Sequence, residues 1–482
     1  ARPRRNTDIH ARTSYMACTS TYGNCWTSKC CRSLSDHCYQ RGSLQYAQCR
    51  TQCSTSWITC TQLDVSPPPP PVPPPAAWPP QTPVRWVSTR TKPFGVPFEL
   101  ATGLVDGIAR ITIAFEGREP EPLHIKGVNW FGFQTDGCVH ELYKHTVQAY
   151  IDFLVQHRFN AVRLTLSAPL IASNPVGRNC GEYNSVRMLT ILDRLLQRLA
   201  SAGIMAMLGI HTLSEPEKNN PLWCEASSCN TANEAPLLQA WSTLAERYCK
   251  HPNVIAADLF NEPYQATWGV GRPGTDWGLA ASRIGNHVQS RCARWLIVAQ
   301  GVGNNQGQCK ESASQSTCWW GENLVSQIAH PIMLRDQSKL VLSPHVYGHG
   351  GHDYMSDPNF PENMPAIWDT HWGSIQEQAG VPLLIGEWGG VWTDTTFQNR
   401  HIMETQTWQQ RLQDYLQAKQ IGFFYWALND NSFRTGSLFH PKNEEKWHML
   451  APSYVTWIPE AQGTPPPPPP SPSPPPPSSH PS

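Results

Sequence analysis

The sequence predicts a (β/α)8 barrel of the α/β class, preceded by a small disulfide-rich module. Eight short apolar runs recur along the chain, and stretches with helical spacing separate most of them. The runs are continuously apolar, as expected for a parallel sheet covered by helices. A doubly wound open sheet is the alternative, but no Gly-rich phosphate loop follows the first run. The predicted strands are residues 124–131, 161–166, 205–211, 254–260, 295–300, 339–343, 382–386 and 422–426.

The helical stretches between the strands carry apolar residues at intervals of three and four. The clearest sets are Leu189, Leu192, Leu195, Leu196 and Leu199, and then Leu237, Leu238, Trp241, Leu244 and Tyr248. This spacing places each set on one face of a helix, which we expect to pack against the barrel.

Composition marks the limits of the domains. Eight of the 16 Cys lie before residue 61, residues 67–75 are Pro except for one Val, and residues 465–481 are Pro and Ser with one His. Pro-rich runs adopt extended polyproline II structure and act as spacers. We expect an N-terminal tail (1–17), a Cys-rich module (18–62), a Pro-rich linker (63–83), the barrel (84–463), and a Pro/Ser-rich linker or tail (464–482).

The Cys-rich module is too short to fold on a hydrophobic core alone. Its eight Cys suggest up to four disulfides, in one of 105 pairings. Zinc is the alternative, with Cys30, Cys31, Cys49 and Cys53 as ligands, but paired C-x2-C spacings are few. Disulfides form in oxidising compartments, so a secreted protein, extracellular or in a cell wall, is expected.

Charge and hydropathy exclude several classes of partner. Lys+Arg and Asp+Glu both number 37, so electrostatics favours neither nucleic acid nor an anionic membrane. Apolar runs fall short of the roughly 18 residues that a membrane span needs. No apolar stretch follows the basic N-terminus, so a secretory signal is expected to be absent or already removed. We expect a monomer without a cofactor.

Polar residues at the ends of the predicted strands point to a site at the barrel mouth. Active sites of such barrels form at the carboxyl ends of the strands. Two of these residues are glutamates, Glu262 and Glu387, which follow the fourth and seventh strands on opposite sides of the mouth. Facing carboxylates are typical of glycoside hydrolysis, in which one acts as an acid and the other stays ionised. The alternative is that each glutamate pairs with a cation at a helix start.

Longer motifs around these glutamates resemble glycoside hydrolase family 5, the endoglucanase family. Residues 255–264 resemble its Asn-Glu-Pro signature, and residues 127–133 resemble the first-strand motif of its bacterial-type cellulase branch. The His-x-Tyr at His345 and the Gly-Glu-Trp-Gly at Gly386 strengthen the likeness, which extends over residues 84–450. Further matching segments are residues 276–281, 319–323 and 357–365.

The resemblance implies a role for each residue at the mouth. Glu262 is expected to be the acid/base, and Glu387 the nucleophile of a retaining mechanism. Arg163 and Tyr347 are expected to keep Glu387 ionised and oriented. The remaining implied substrate-binding residues are Asn261 at the sugar 2-hydroxyl, His345 near the acid/base, His211 at sugar hydroxyls and Trp426 as the platform under the sugar ring.

Four more tryptophans are candidates for sugar subsites, because apolar C–H faces of sugars pack on aromatic rings. They are Trp130, Trp223, Trp319 and Trp320, all expected in loops near the mouth. Packing in the core is the alternative, and about half of the four are expected to be structural.

One cluster of histidines suggests a metal site. His345, His349 and His352 lie close in sequence, with Asp353 beside them. The Gly-rich loop and the role of His345 favour no metal. Two short-range pairs, Cys309 with Cys318 and Cys224 with Cys229, are expected to be disulfides.

The N-terminal module has a resemblance of its own. Residues 38–49 look like the tail of small Cys-rich cellulose-binding modules, and the whole layout resembles volvocine green-algal cellulases. Trp26, Tyr39, Tyr46 and Trp57 are the candidates for a flat glucan-binding face. A disulfide knot without a ligand, or one that binds protein, is the alternative.

Three functions remain open at this point. The first is a secreted, retaining endo-β-1,4-glucanase acting on cellulose. The second has the same catalytic residues and a different substrate: mannan, xyloglucan or mixed-linkage glucan. The third is a non-catalytic cell-wall lectin, which has no need of a matched acid and nucleophile.

Overall fold

The computed structural model describes residues 94, 96–214, 220–270, 272–303, 309–312, 315–316, 318–348, 357–392, 402–429, 431–432, 437–440, 444–453 and 455, and the backbone of three strands between residues 37 and 62. The chain divides into two compact units, residues 1–86 and 87–482. Their limit falls close to the predicted start of the barrel domain.

The first unit contains a small antiparallel sheet. Its strands are β1 (His37–Arg41), β2 (Ala47–Arg50) and β3 (Cys60–Gln62), with β1 in the centre. Cys38 and Cys49 are register partners in this sheet. Tyr39 is described by its backbone only, and Trp26, Tyr46 and Trp57 lie outside the described residues, so the glucan-binding face stays a prediction.

The second unit opens with a hairpin that closes the bottom of the barrel. Strands β4 (Phe98–Val105) and β5 (Ile108–Phe115) pair antiparallel, and β6 (Glu121–Pro122) extends their sheet. Asp106 and Gly107 both adopt positive φ, as a two-residue hairpin turn requires. Apolar side chains of β4 and β5 pack in one cluster with residues that begin the barrel strands, such as Met205 and Leu384.

The core of this unit is a ring of parallel strands, and it confirms the predicted (β/α)8 barrel. Pairing runs from β7 through β8, β9, β10 and β11 to β14, and from β15 through β16 and β17 back to β7. Pro344 interrupts one strand between β14 and β15, so these two segments together count as the sixth of the eight barrel strands. The strands are β7 (Lys126–Trp130), β8 (Ala161–Ser167), β9 (Met205–Thr212), β10 (Val254–Asp258), β11 (Leu296–Gln300), β14 (Leu340–Ser343), β15 (His345–Tyr347), β16 (Leu384–Gly389) and β17 (Gly422–Tyr425).

Helices cover the outside of the barrel. The predicted apolar faces of α3 and α4 point inward: every leucine of the first set is buried, and in the second set Leu238 alone is only partly buried. Side chains of Thr146 and Asp276 cap the starts of α1 and α5. The helices are α1 (Val147–Gln156), α2 (Ala168–Ser173), α3 (Met188–Ser201), α4 (Ala235–Tyr248), α5 (Trp277–Gln289), α6 (Met364–Trp368), α7 (Ile375–Ala379), α8 (Ile402–Lys419) and α9 (Glu444–Leu450).

The connection after β11 departs from the expected strand–helix alternation. Its described residues contain a short hairpin, β12 (Lys310–Ser312) and β13 (Gln315–Ser316), and two 3₁₀ turns at Val325–Gln327 and Gln337–Lys339, but no α-helix. None of the helices in the described ranges combines the length and the apolar character that crossing a bilayer requires.

Four disulfides tie the loops and helices of the barrel unit. The predicted pairs Cys224–Cys229 and Cys309–Cys318 are confirmed. Two further pairs join residues that are far apart in sequence, Cys138–Cys180 and Cys249–Cys292. The second of these connects the ends of α4 and α5.

The disulfide between α4 and α5 is expected to contribute more to stability than a short-range one. It closes a loop of 43 residues, whereas Cys224–Cys229 closes one of 5. Chain entropy assigns roughly 4 kcal/mol to the longer loop and roughly 2 kcal/mol to the shorter one. We expect Cys249→Ala/Cys292→Ala to lower Tm more than the matched control Cys224→Ala/Cys229→Ala in thermal melts. An equal or larger loss in the control would contradict the entropic explanation.

Candidate active site

Arg163 forms the centre of the polar network at the barrel mouth. Its side chain is fully buried on β8, and its guanidinium contacts groups from three other strands and the segment after β10. Nη1 donates to Glu387 Oε1 at 2.6 Å and to Asn129 Oδ1 at 2.9 Å, and Nη2 donates to Asn261 Oδ1 at 2.8 Å. Asp258 Oδ2 lies 2.7 Å from both Nε and Nη2. The cation is thereby held in one orientation by four acceptors.

Glu387 lies on β16 with both carboxylate oxygens occupied. Oε1 accepts from Arg163, and Oε2 accepts from the Tyr347 hydroxyl at 2.8 Å. Burial raises the pKa of this carboxyl, and the Arg163 cation and the Tyr347 hydrogen bond oppose the rise. The predicted partners of Glu387 are therefore in contact with it.

Glu262 lies four residues beyond the end of β10, in the left-handed region with φ 46°. Its backbone N–H donates to Gln300 Oε1 at 2.7 Å, and its Oε1 is 3.0 Å from His345 Nδ1. Burial and then the negative charge of Glu387 raise the pKa of Glu262 well above its ordinary value. Residues held in this backbone region cluster at functional sites.

The two glutamates converge across the mouth. A carboxylate oxygen of each, together with a ring nitrogen of His345, lie within 4.8 Å of one another. Two buried carboxyls at this separation disfavour simultaneous ionisation, and Glu387 has the closer cation. The environment therefore favours a proton on Glu262 and a negative charge on Glu387.

The two histidines of the site are held neutral. Burial and then the charge of Arg163 lower the pKa of His211 to about 3, and the same causes lower the pKa of His345 well below its ordinary value. A neutral His345 can exchange a hydrogen bond with Glu262 without adding a second cation to the site.

Aromatic rings form a platform beside the carboxyls. Trp426 stacks on Phe131 with ring centroids 5.3 Å apart and an interplanar angle of 4°, and His211 lies over the same indole at 5.9 Å. Asn261 is nearby in the network, and its Nδ2 makes no hydrogen bond to any described residue. A ring and a free amide donor together suit a sugar, which has apolar faces and hydroxyl edges.

Of the four other candidate tryptophans, two lie among the aromatic residues near the mouth and two are buried in the core. Trp319 lies edge-on to Tyr347 at 5.7 Å, and Trp320 is 45 % exposed and stacks on Tyr264 at 3.9 Å. Trp130 is fully buried against Tyr150, so the prediction that it binds substrate is wrong. The reason is that its side chain lies on the outer face of β7, under the helices.

Trp223 is also structural. Its side chain is fully buried, and its Nε1 donates to Glu234 Oε1 at 2.6 Å. The expectation that about half of the four tryptophans pack in the core is confirmed by Trp130 and Trp223.

Several residues of the site were not assigned a role from the sequence. Asp258 pairs with Arg163, Gln300 Nε2 donates to both Asp258 oxygens, and Asn129 Nδ2 donates to the Gly386 carbonyl at 2.9 Å. The available signal was a charged or amide residue inside an otherwise apolar strand, because such a group must find a buried partner. Gly209 belongs with them, since a Cβ there would lie 3.1 Å from Asp258 Oδ2.

Glu322 and His371 form a second buried pair that the sequence did not predict. Glu322 Oε1 is 2.9 Å from His371 Nδ1, and Oε2 accepts from the Trp319 N–H at 2.6 Å. The adjacent Gly321 packs against Glu262, because a Cβ at Gly321 would lie 3.3 Å from Glu262 Cγ. The pair therefore anchors the segment that carries Trp319 and Trp320 against the Glu262 side of the site.

Among the residues that the structure describes, two groups of side chains are close enough to be considered as metal ligands. In the first, Glu262, His345 and Glu387, both oxygens of Glu387 already accept hydrogen bonds. In the second, two of the ligands would be Cys309 and Cys318, which are joined in a disulfide. The predicted cluster of His349, His352 and Asp353 lies outside the described residues.

Comparisons with known proteins agree with this geometry. The profile of Cellulase (glycosyl hydrolase family 5) matches residues 123–432. An endoglucanase of Paenibacillus polymyxa is 35% identical over 322 residues, which cover 65% of this chain and 77% of the relative. The major extracellular endoglucanase of Xanthomonas campestris pv. campestris is 33% identical over 356 residues, covering 71% of this chain and 68% of the relative.

Solved structures are similar over the same region. The catalytic domain of the major endoglucanase from Xanthomonas campestris pv. campestris superposes with a TM-score of 0.61 at 31% identity, covering 69% of this chain and 94% of that one. A cellotetraose complex of the endocellulase from Pyrococcus horikoshii gives a TM-score of 0.64 at 29% identity, covering 74% and 98%.

Removal of the central cation is expected to destabilise the fold. Arg163→Met leaves two buried carboxylates without their cation, which typically costs about 3–5 kcal/mol. The matched control is Arg247→Met, which breaks a surface ion pair with Asp193 and should cost less than about 1 kcal/mol. Urea denaturation measures both free energies of unfolding. A loss for Arg163→Met no larger than that of the control would contradict the central role of Arg163.

Proposed function

Because this chain belongs to the cellulase family, glycosyl hydrolase family 5, and is therefore a glycoside hydrolase, we propose that it is a secreted, retaining endo-β-1,4-glucanase with Glu262 as acid/base and Glu387 as nucleophile. The observation that carries the proposal is the approach of the two carboxyls, whose nearest oxygens lie within 4.8 Å. Retaining enzymes place the pair about 5–5.5 Å apart, whereas inverting enzymes leave roughly 6.5–9.5 Å for a water molecule.

The assignment of roles follows from the surroundings of each carboxyl. Glu387 accepts from a permanent cation and from a hydroxyl, so it is suited to attack the anomeric carbon as a carboxylate. Glu262 is buried, has a raised pKa and lacks a direct contact with Arg163 among its hydrogen bonds, so it is suited to donate a proton to the glycosidic oxygen.

The proposed reaction proceeds in two steps. Glu387 displaces the leaving sugar, whose oxygen takes the proton of Glu262, and a covalent glycosyl ester forms on Glu387. Glu262, now ionised, removes a proton from water, and the resulting hydroxide equivalent displaces Glu387 from the anomeric carbon. Two inversions at one carbon give net retention of configuration.

The substrate assignment rests on the platform and on the relatives. Trp426 offers a ring face, and the free Nδ2 of Asn261 offers a donor for the hydroxyl next to the anomeric carbon. Both sequence relatives described above carry the name endoglucanase, and the Pyrococcus horikoshii structure is a cellotetraose complex. A β-1,4-glucan is therefore proposed over mannan, and cleavage of mannan without cleavage of carboxymethyl cellulose would reverse that choice.

The proposed secretion is supported by the four disulfides of the barrel unit, which persist in oxidising compartments. Retention of the protein inside the cells of its source, with its cysteines reduced, would contradict it.

Substitution of each glutamate distinguishes the two roles. We expect Glu262→Gln to lower turnover of cellulose by about 10²–10⁴-fold, the usual contribution of an acid/base. A dinitrophenyl glycoside has a leaving group that needs no proton, so with that substrate the first step should survive as a burst. Glu387→Gln should lose both activities, and the control Glu234→Gln, a buried carboxyl paired with Arg283, should keep both.

The outcome that contradicts the proposal is stereochemical. NMR of a cello-oligosaccharide digest should detect the β anomer as the first product. Initial formation of the α anomer would indicate inversion and would exclude Glu387 as a covalent nucleophile.

Removal of the Tyr347 hydroxyl should shift the acid limb of the pH profile. Activity requires ionised Glu387 and is lost as the pH falls through its pKa. The hydroxyl favours the ionised form, so Tyr347→Phe raises the pKa of Glu387 and moves the acid limb of kcat/KM to higher pH. The control Tyr415→Phe, which loses a hydroxyl bonded to Asp369, should leave the limb in place. An unshifted limb in Tyr347→Phe would refute the role of the hydroxyl.

A further inference from the structure

Gln300, the last residue of β11, lies between the backbone of Glu262 and the carboxylate of Asp258. Its side chain is fully buried, and its Oε1 accepts from the Glu262 N–H at 2.7 Å. Its Nε2 donates to the two oxygens of Asp258 at 2.9 and 3.0 Å. Because a backbone N–H can only donate, the amide oxygen must face Glu262 and the amide nitrogen must face Asp258. Both ends of the amide are therefore bonded to protein groups.

The backbone of Gln300 is also held in place. Gln300 is the register partner of Ser343 in the parallel pairing of β11 with β14. Its carbonyl accepts from Trp277 Nε1 at 2.7 Å, and the N–H of the next residue, Gly301, donates to the Gly321 carbonyl at 2.9 Å. The amide of Gln300 is thus presented to Glu262 from a fixed point of the barrel.

Glu262 has a backbone conformation that a residue with a side chain rarely adopts. Its φ is 46°, in the left-handed region where Cβ crowds the following carbonyl oxygen. It lies beyond the end of β10, and the partner of its N–H is the Gln300 side chain instead of a neighbouring strand. Such a conformation persists where the surroundings fix it. The direction of the Glu262 side chain therefore depends on this hydrogen bond.

Gly321 packs against the same hydrogen bond from the other side. A Cβ at Gly321 would lie 3.3 Å from Glu262 Cγ and 3.4 Å from Gln300 Oε1. The contact is close only because glycine has no side chain. It favours the position in which Glu262 Oε1 is 3.0 Å from His345 Nδ1.

We infer that Gln300 is a positioning residue for Glu262, whose peptide it holds so that the carboxyl points into the barrel mouth. The inference rests on the proposed role of Glu262 as acid/base. Gln300 also has a path to the other carboxyl, because Asp258 is 2.7 Å from Arg163 and Arg163 is 2.6 Å from Glu387. Service to the acid/base and service to the nucleophile through Arg163 differ in a measurable way.

The test compares two substrates whose first steps differ in their need for a proton. Cellotetraose needs the proton of Glu262 on its leaving oxygen, whereas dinitrophenyl cellobioside has a leaving group that needs no proton. Gln300→Met should lower kcat/KM on cellotetraose by roughly 10- to 100-fold, the usual cost of a misplaced catalytic group. On dinitrophenyl cellobioside kcat/KM should stay close to that of the wild type. The ratio of the two values does not depend on the fraction of folded enzyme, so partial unfolding cannot produce the result.

Two further variants control for packing. Gln289→Met removes a buried amide that bonds through both ends to the Asp336 backbone, four residues before β14 at the amino end of the barrel, and should leave both substrates unaffected. Gln300→Glu, while its carboxyl is protonated, again offers an acceptor to Glu262 and a donor to Asp258, so activity on cellotetraose should recover at acid pH. The recovery should fade as the pH rises, because ionisation of the introduced carboxyl places two negative charges side by side.

Equal losses of Gln300→Met on both substrates would overturn the inference and assign Gln300 to the nucleophile. Unchanged kcat/KM on both substrates would overturn it as well. Glu262→Gln is the reference and should show the same selective loss with a larger size. A selective loss in Glu262→Gln without one in Gln300→Met would leave the proposed function intact and remove the inference. Equal effects of Glu262→Gln on both substrates would remove the proposed role of Glu262 itself.

Discussion

The burial of one guanidinium, that of Arg163 within β8, is the constraint on which the rest of the site depends. Arg163 has no access to solvent, so its five N–H groups must find acceptors inside the barrel. Asp258 and Glu387 supply the negative charge, and Asn129 and Asn261 supply carbonyl oxygens. The acceptors come from β7, from β16, and from the end of β10 with the segment that follows it. The cation therefore holds several barrel strands together at the mouth and also holds Glu387 in place.

The charge of Arg163 also makes two chemically identical carboxyl groups differ in their tendency to hold a proton. Arg163 contacts Glu387 directly and opposes the rise in its pKa, whereas the raised pKa of Glu262 follows from burial and from the charge of Glu387. Burial, and then the positive charge of Arg163, lower the pKa values of His211 and His345 and keep both rings neutral, so no second cation competes for the carboxylates. One proton can then reside on Glu262 while Glu387 stays ionised, which is the state that a double displacement needs at its start.

The loops around the two carboxyl groups are held in place by a buried side-chain pair and by a disulfide. The buried Glu322–His371 pair fixes the segment with Trp319 and Trp320 on the β11 side of the mouth. The Cys138–Cys180 disulfide joins the loops that follow β7 and β8. Loops on both sides of the mouth are thus held in place by the fold itself. Rigid contacts cost less ordering entropy on binding than flexible ones do.

The sequence by itself determined the eight-stranded barrel, because its apolar runs are local patterns that can be recognised one by one. It also determined which polar residues meet at the mouth, because parallel strands bring the residues at their carboxyl ends to one edge. These residues are Glu262, Glu387, Arg163, His345 and Tyr347. Only the tertiary structure decided which buried polar groups pair. The roles of Asp258, Gln300 and Gly209 follow from contacts between neighbouring strands, which the sequence does not show. Trp130 faces the helices because the register of a strand decides which face each of its residues occupies. The described residues between β11 and β14 contain no α-helix, and this departure has the same origin as the Glu322–His371 pair: long-range packing outweighs local preference wherever a loop must fit its neighbours.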